Sequence, residues 1–260
     1  MELVALKTRL VNVGDDLAGI ILGSLKKQRV SLQERDILAV ASKVVSIAER
    51  RVAKLSDLEP SPKAKKLAKD FKLRPEFAEL IIREADTIYG GVERAVLTLK
   101  DHVLTANAGI DNKNAPQEVA VLWPSDPAES AERIRREIRQ STGKRVGVVI
   151  VDSGLMPLRI GTTAIALAVA GFKPIRDQRG ENDLYGRKII VTRHAVADDI
   201  ASAAHLIMGE ATERTPFVLV RDAPVEFDDA VHGSGELMMP FDECIFIGTL
   251  ENLCKKPRKG

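Results

Sequence analysis

The sequence has few aromatic residues, little cysteine and almost no net charge. Of its 260 residues only 4% are Phe, Trp or Tyr, with a single Trp. A base-stacking platform for single-stranded nucleic acid needs several such rings. Lys and Arg number 39 against 37 Asp and Glu, a formal net charge of +2. That balance removes the basic excess on which nucleic-acid binding depends, so no nucleic-acid partner is expected. No uncharged apolar run approaches the roughly 20 residues of a membrane span. The N-terminus has no signal-peptide pattern, and a cytoplasmic location is expected. The two cysteines, Cys244 and Cys254, form no Cys-x-x-Cys pair, and His102, His194, His205 and His232 show no zinc-ligand spacing. Ordinary reduced thiols are expected. There is also no solenoid-type repeat and no Gly-rich nucleotide fingerprint.

What is there is an ordinary core-forming composition, 45% hydrophobic. Asp15 and Asp16 precede an apolar stretch, 17–25, that reads as an N-capped helix. Residues 36–41 read as a short buried strand. Ser61 and Pro62 open a helix over 63–70, and Pro75 starts another that runs towards a turn at Gly90-Gly91. Residues 103–105 read as a strand entering a loop. Asp126-Pro127 begin a long helix over 129–142, closed by Gly143, whose charges read as a solvated face. Residues 145–152 are nearly all apolar and read as a central strand buried on both sides, delivering Asp152 and Ser153 to its C-terminal end. The low-charge stretch 162–172 suits core before interface. Strands are expected at 188–192 and 216–221, with an amphipathic helix over 197–208 between them. The basic tail, 251–260, reads as solvated. Because helices and strands alternate irregularly, the fold class expected is α+β, a mixed β-sheet with flanking helices.

Three acidic residues sit beside permissive or polar loops. Asp111 follows Asn107-Ala108-Gly109-Ile110, Asp152 ends the strongest strand, and Glu210 follows Met208-Gly209. Hard cations such as Mg2+ and Mn2+ take carboxylate and hydroxyl oxygens from separated segments, with phosphates completing the shell. An acidic residue in a turn is more often an ordinary turn former or cap than a ligand, and spacing leaves both readings open.

The segment Ala106-Asn107-Ala108-Gly109-Ile110-Asp111-Asn112-Lys113-Asn114 resembles the "ANAGVDxSN" stretch of the coenzyme F420-0:L-glutamate ligase family. Gly14-Asp15-Asp16-Leu17 resembles its "PGDDL", and residues 41–51 its "SQKIVSKAEGR". Asp126-Pro127 and the following helix resemble "DPDxSAxxIR", and 195–209 its "AVADELA…MG". These ordered matches extend over about residues 10–225. The resemblance implies a two-lobed ligase-like fold, with 1–250 as the catalytic domain. It implies a cytoplasmic homodimer that uses GTP and two divalent ions, Mg2+ or Mn2+, with K+ as a further candidate. Its substrates would be GTP, L-glutamate and F420-0, joined by a γ-glutamyl amide through an acyl phosphate. Carried over by position, Asp111 and Asp152 would hold one ion, and Ser153 and Glu210 the second. Ser42, Lys43, Ser46, Asn114, Met208, Gly209 and Thr212 would line the nucleotide site. Asp111, Asp152 and Arg159 would carry the chemistry, Arg159 as a fork for phosphate or carboxylate.

The chain departs from the family at residues 7–11, where the family has "GIPEV", at Ile47, where Lys is usual, and most of all at one further stretch. The family's "SDTFGRPWRxGQ" stands here as residues 151–162, with Ser153 for Thr, Gly154-Leu155-Met156 for Phe-Gly-Arg, and Leu158 for Trp. A related amide ligase with another acidic or phosphorylated acceptor therefore stays open, as does a non-catalytic nucleotide- or coenzyme-binding homologue.

Overall fold

A computed structural model describes residues 1–113 and 118–249 of the chain. In chain order its elements are β1 (Glu2–Leu6), α1 (Leu17–Gln28), β2 (Ile37–Ala41), α2 (Ser42–Ala48), β3 (Val52–Lys54), α3 (Pro62–Phe71) and α4 (Pro75–Glu84). There follow β4 (Thr87–Val92), β5 (Ala95–Lys100), β6 (Val103–Ala106), β7 (Val119–Val121), α5 (Pro127–Thr142), β8 (Gly147–Leu155) and β9 (Thr162–Phe172). The chain closes with β10 (Arg176–Asp177), β11 (Arg193–His194), α6 (Val196–Met208), β12 (Phe217–Arg221), β13 (Phe227–His232) and α7 (Ser234–Leu237).

The fold is α+β, as expected. Six strands form one sheet in the order β1-β12-β2-β8-β9-β13. Only β2 and β8 run parallel; every other pairing in it is antiparallel. β2 and β8 lie at its centre and are buried up to Val40 and Val151. Side chains alternate across a strand, so one face of β8 carries Val148 and Ile150 into a core with α1 and α5. The other carries Val149 and Val151 into a core with α6. A smaller assembly of α3, α4, the β3-β7 pair and the β4-β5-β6 sheet has its own core around Leu55, Phe77, Leu80, Ile81 and Leu122.

Local chemistry sets the helix ends. The Gly19 amide donates to Asp16 Oδ1 at 2.9 Å, and α1 ends at Arg29 in the left-handed region. The Glu129 amide donates to Asp126 Oδ1 at 2.9 Å, Pro127 opens α5, and Gly143 (φ 71°) closes it. No helix among the described residues is long and apolar enough to cross a membrane.

Several expectations are corrected. The helix from Pro75 stops at Glu84, and Gly90-Gly91 lie inside β4 rather than at its turn. The reversal falls at Glu93-Arg94, while a Cβ at Gly91 would stand 2.3 Å from the Ala95 carbonyl oxygen. These glycines serve close strand approach. Residues 188–192 form no strand. Lys188 makes one isolated bridge, to Asn182, and Ile190 and Val191 stand exposed, so the β-branched run has no ladder to join. The charges of α5 are not all solvated: Arg135 is 6% exposed and ion-paired with Glu132 and Asp229. Asp152 and Ser153 are not at the end of β8, because β9 continues the ladder to Leu155. The stretch 162–172 is core, buried continuously from Ala166. Cys244 is a free thiol; Cys254, Asn114 and the basic tail lie outside the described residues.

Candidate functional site

The site is built where β2 and β8 leave the core. Ala41 pairs with Val151, so Ser42, the first residue of α2, stands level with Asp152. Between Ile150 and Val151 the register on β9 skips from Ala168 to Ala166, leaving Leu167 as an extra residue. Such a bulge bends and twists the strand that carries the next side chains.

Asp152 is enclosed. One carboxylate oxygen accepts from Ser42 Oγ at 2.6 Å, the other from Trp123 Nε1 at 2.7 Å. Burial pushes its pKa up to about 6; the Ser42, Trp123 and Ser153-amide hydrogen bonds and the Lys43 charge oppose the rise.

Asp111 arrives by an unusual route. Asn107, Ala108 and Gly109 are successive left-handed residues, with φ of 54°, 53° and 69°. A non-glycine residue there costs roughly 1–2 kcal/mol. Two hydrogen bonds from the neighbouring strand hold the turn. The Val96 amide donates to Asn107 Oδ1 at 2.9 Å, and the Ala108 amide to Thr98 Oγ1 at 2.8 Å. Gly109 packs against the indole, where a Cβ would stand 2.2 Å from Trp123 Cε2. Lys43 Nζ then donates to Asp111 Oδ2 at 2.7 Å and to the Lys113 carbonyl at 2.9 Å.

Glu210 follows α6. Its Oε1 accepts from Ser153 Oγ and Thr162 Oγ1, each at 2.9 Å, and lies 2.8 Å from His205 Nε2. Burial would raise its pKa, but the hydrogen bonds from Thr162, His205 and Ser153 outweigh that, and it is lowered. Lys113 Nζ lies 3.9 Å from Glu210 Oε2 and links this cluster to Asp111. Adjacent β8 residues point to opposite faces. Asp152 therefore turns towards Ser42 and Trp123, and Ser153 towards α6.

The structure thus brings Ser42, Lys43, Asp111, Asp152, Ser153 and Glu210 together. Five others stand apart. Ser46 is fully buried and donates to the Ser42 carbonyl at 3.0 Å within α2. Met208 packs into the core, and its carbonyl accepts from Thr215 Oγ1 at 2.9 Å. Thr212 is exposed in the turn after α6. Arg159 lies in the exposed loop 156–161, and among the described residues no carboxylate faces its guanidinium. Gly209 (φ 71°) reverses the chain, and a Cβ there would stand 2.3 Å from Glu213 Cδ. Sequence reasoning missed Trp123, Lys113, Thr162 and His205. Only Trp123, as the lone indole, and Lys113, inside the motif of residues 106–114, carried a local signal.

The donor set suits a hard cation. Among the described residues no three His, Cys, Asp or Glu side chains gather at one point. Mg2+ needs no such cage, since it is commonly held by one or two carboxylates with phosphate oxygens and water. Asp152 gives a physical reason to expect a cation. It is an enclosed carboxylate that, among the described residues, has no ion-pair partner, and its raised pKa measures the cost of that charge.

Fold and site together define an α+β protein that sets carboxylates, hydroxyls and two lysine ammonium groups beside the central strands of its main sheet. The chain belongs to the F420-0:gamma-glutamyl ligase family, whose model matches residues 5–222. It is 40% identical over 221 residues to the coenzyme F420:L-glutamate ligase of Methanopyrus kandleri, covering 85% of this chain and 86% of that one. It is 38% identical to the protein of the same name from Methanothermobacter thermautotrophicus, covering 92% and 95%. It is likewise 38% identical to the one from Archaeoglobus fulgidus, covering 82% and 83%.

Proposed function

We propose that this chain is a GTP- and divalent-metal-dependent ligase that joins the amine of L-glutamate to the carboxylate of coenzyme F420-0 by an amide bond. The observation that carries the reading is the convergence of Ser42, Lys43, Asp111, Asp152, Ser153 and Glu210 from four separate stretches of chain. Amide formation from a carboxylate needs activation first. A carboxylate oxygen of the acceptor attacks the γ-phosphorus of GTP, the bond to GDP breaks, and an acyl phosphate forms. The glutamate amine then attacks the acyl carbon, phosphate leaves, and the nitrogen loses a proton. Charge on the transferring phosphoryl group is the main obstacle, and positioning with electrostatic stabilisation meets it. Lys43 and Lys113 supply ammonium groups towards phosphate oxygens. Ser42 and Trp123 hold Asp152 in place. Asp111 and Asp152 would hold one divalent ion and Ser153 and Glu210 another; such ions offset charge on entering and leaving oxygens.

The test is incubation with GTP, Mn2+, L-glutamate and F420-0. GDP release and a mass gain of one glutamate residue are expected. The absence of both products would overturn the proposal. The stretch 154–158, exposed from Leu155 onward and different from the family pattern, favours a second reading in which the acceptor is another acidic or phosphorylated molecule. Turnover on such acceptors, with none on F420-0, would select it.

The homodimer belongs to the same proposal. Leu158 and Ile160 are fully exposed, and Leu184, Tyr185, Ile190 and Val191 stand out on the segment 178–192. Large exposed apolar side chains of this kind mark contact surfaces, and a second copy is the occupant proposed. Light scattering after gel filtration is expected to give a dimer for the wild type. Leu158→Glu combined with Ile160→Glu should give a monomer with unchanged circular dichroism. A monomeric wild type at micromolar concentration would sink the idea.

A further inference from the structure

Three donor atoms from β8, α6 and the turn after α6 meet at one point. Ser153 Oγ lies 2.9 Å from Glu210 Oε1 and 3.4 Å from His205 Nε2, and His205 Nε2 lies 2.8 Å from Glu210 Oε1. Metal bonds of about 2.1 Å at right angles put neighbouring ligand atoms roughly 3 Å apart. The triangle has the dimensions of one face of an octahedron around a small divalent ion. It opens to solvent, since the Glu210 side chain is 40% exposed while His205 is 16% exposed. Thr162 Oγ1 fixes Glu210 from the side. Lys113 Nζ, 3.9 Å from Glu210 Oε2, adds a cation beside the cluster.

We propose that the His205 imidazole is a protein ligand, with Ser153 and Glu210, of the second divalent ion, and that it turns this position away from Mg2+ towards first-row transition ions such as Mn2+. The proposal rests on the metal-dependent reading above. Its chemistry is that of the donor atom. Mg2+ favours oxygen and gives up water reluctantly, whereas transition ions accept imidazole nitrogen. Nε2 ligation requires the neutral ring with its proton on Nδ1. His205 is placed for this by the last turn of α6, five residues before Glu210.

Pulsed electron paramagnetic resonance of Mn2+ bound to the purified full chain tests this without any turnover. A nitrogen coupling of imidazole type is expected in the wild type and should vanish in His205→Gln. In the same variant Mn2+ affinity at the second position should fall about tenfold, and Mg2+ should compete more effectively for it. The wild-type spectrum decides even where the variant folds poorly. Bound Mn2+ without nitrogen coupling, or a coupling that survives His205→Gln, overturns the proposal and leaves the metal-dependent reading standing. A wild type that binds no Mn2+ overturns both.

Discussion

Asp152→Asn is expected to lower ligase turnover by at least about a hundredfold and, at pH 7, to raise the melting temperature. The two effects have one cause. Burial lifts the Asp152 pKa to about 6 from an ordinary 3.8, so the folded state disfavours the anion. A group with a raised folded pKa contributes stability that is fully present below the unfolded pKa. That stability is lost as pH rises through the folded one. The wild type therefore loses on the order of 2 kcal/mol between about pH 4 and pH 7 from this residue. Asn keeps the shape and accepts from Trp123 Nε1 without the charge. Melting curves at pH 4, 5, 6 and 7 without added metal check it: the Asn variant should gain on the wild type as pH rises. A variant equally destabilised at every pH, or one that retains full turnover, would contradict the role given to the carboxylate. Sites that hold an expensive charge for function commonly gain stability when it is removed.

Gly109→Ala is the second large effect, about 3 kcal/mol of lost stability and a fall of roughly 10 °C in melting temperature. Two contributions add. The residue has φ 69°, which costs a side chain about 1 kcal/mol. Its new Cβ would also stand 2.2 Å from Trp123 Cε2, and the indole is buried and tied to Asp152. Overpacking of that kind costs typically 1–3 kcal/mol. Gly14→Ala separates them. Gly14 has φ 80° but nothing within 4 Å of the Cβ position, so only the backbone part should appear. Because Trp123 is the single Trp, intrinsic fluorescence reports on it directly. A changed emission in Gly109→Ala, absent in Gly14→Ala, is expected. Equal losses in the two variants would refute the steric account.

The elements legible in the sequence are those whose signals are local. Asp16 and Asp126 cap α1 and α5 through amides three residues on, and Gly143 ends α5 with a left-handed residue. The unbroken apolar run of β8 announces a strand buried on both faces. Signals that depend on distant partners did not read through. Gly90 and Gly91 look like a turn by composition, yet they belong to a strand because β5 approaches them closely. Arg135 looks like its solvated neighbours on α5, yet Asp229, far along the chain, comes to pair with it. Ile190 and Val191 have strand composition and no neighbouring strand.

By itself the sequence determined the α+β class, the helix caps, the central strand and the family to which the chain belongs. Ordered motifs also singled out Asp111, Asp152, Ser153 and Glu210. Only the tertiary structure decided how they stand to one another. Ser42 reaches Asp152 across 110 residues and Trp123 reaches it across 29. The alternation of side chains along β8 then sends Asp152 and Ser153 to opposite faces, so the acidic groups form two joined clusters and not one. Hydrogen bonds and burial act over a few ångströms of space whatever the separation in sequence. That is why the raised pKa of Asp152 and the place of His205 beside Glu210 emerge only once the chain has folded.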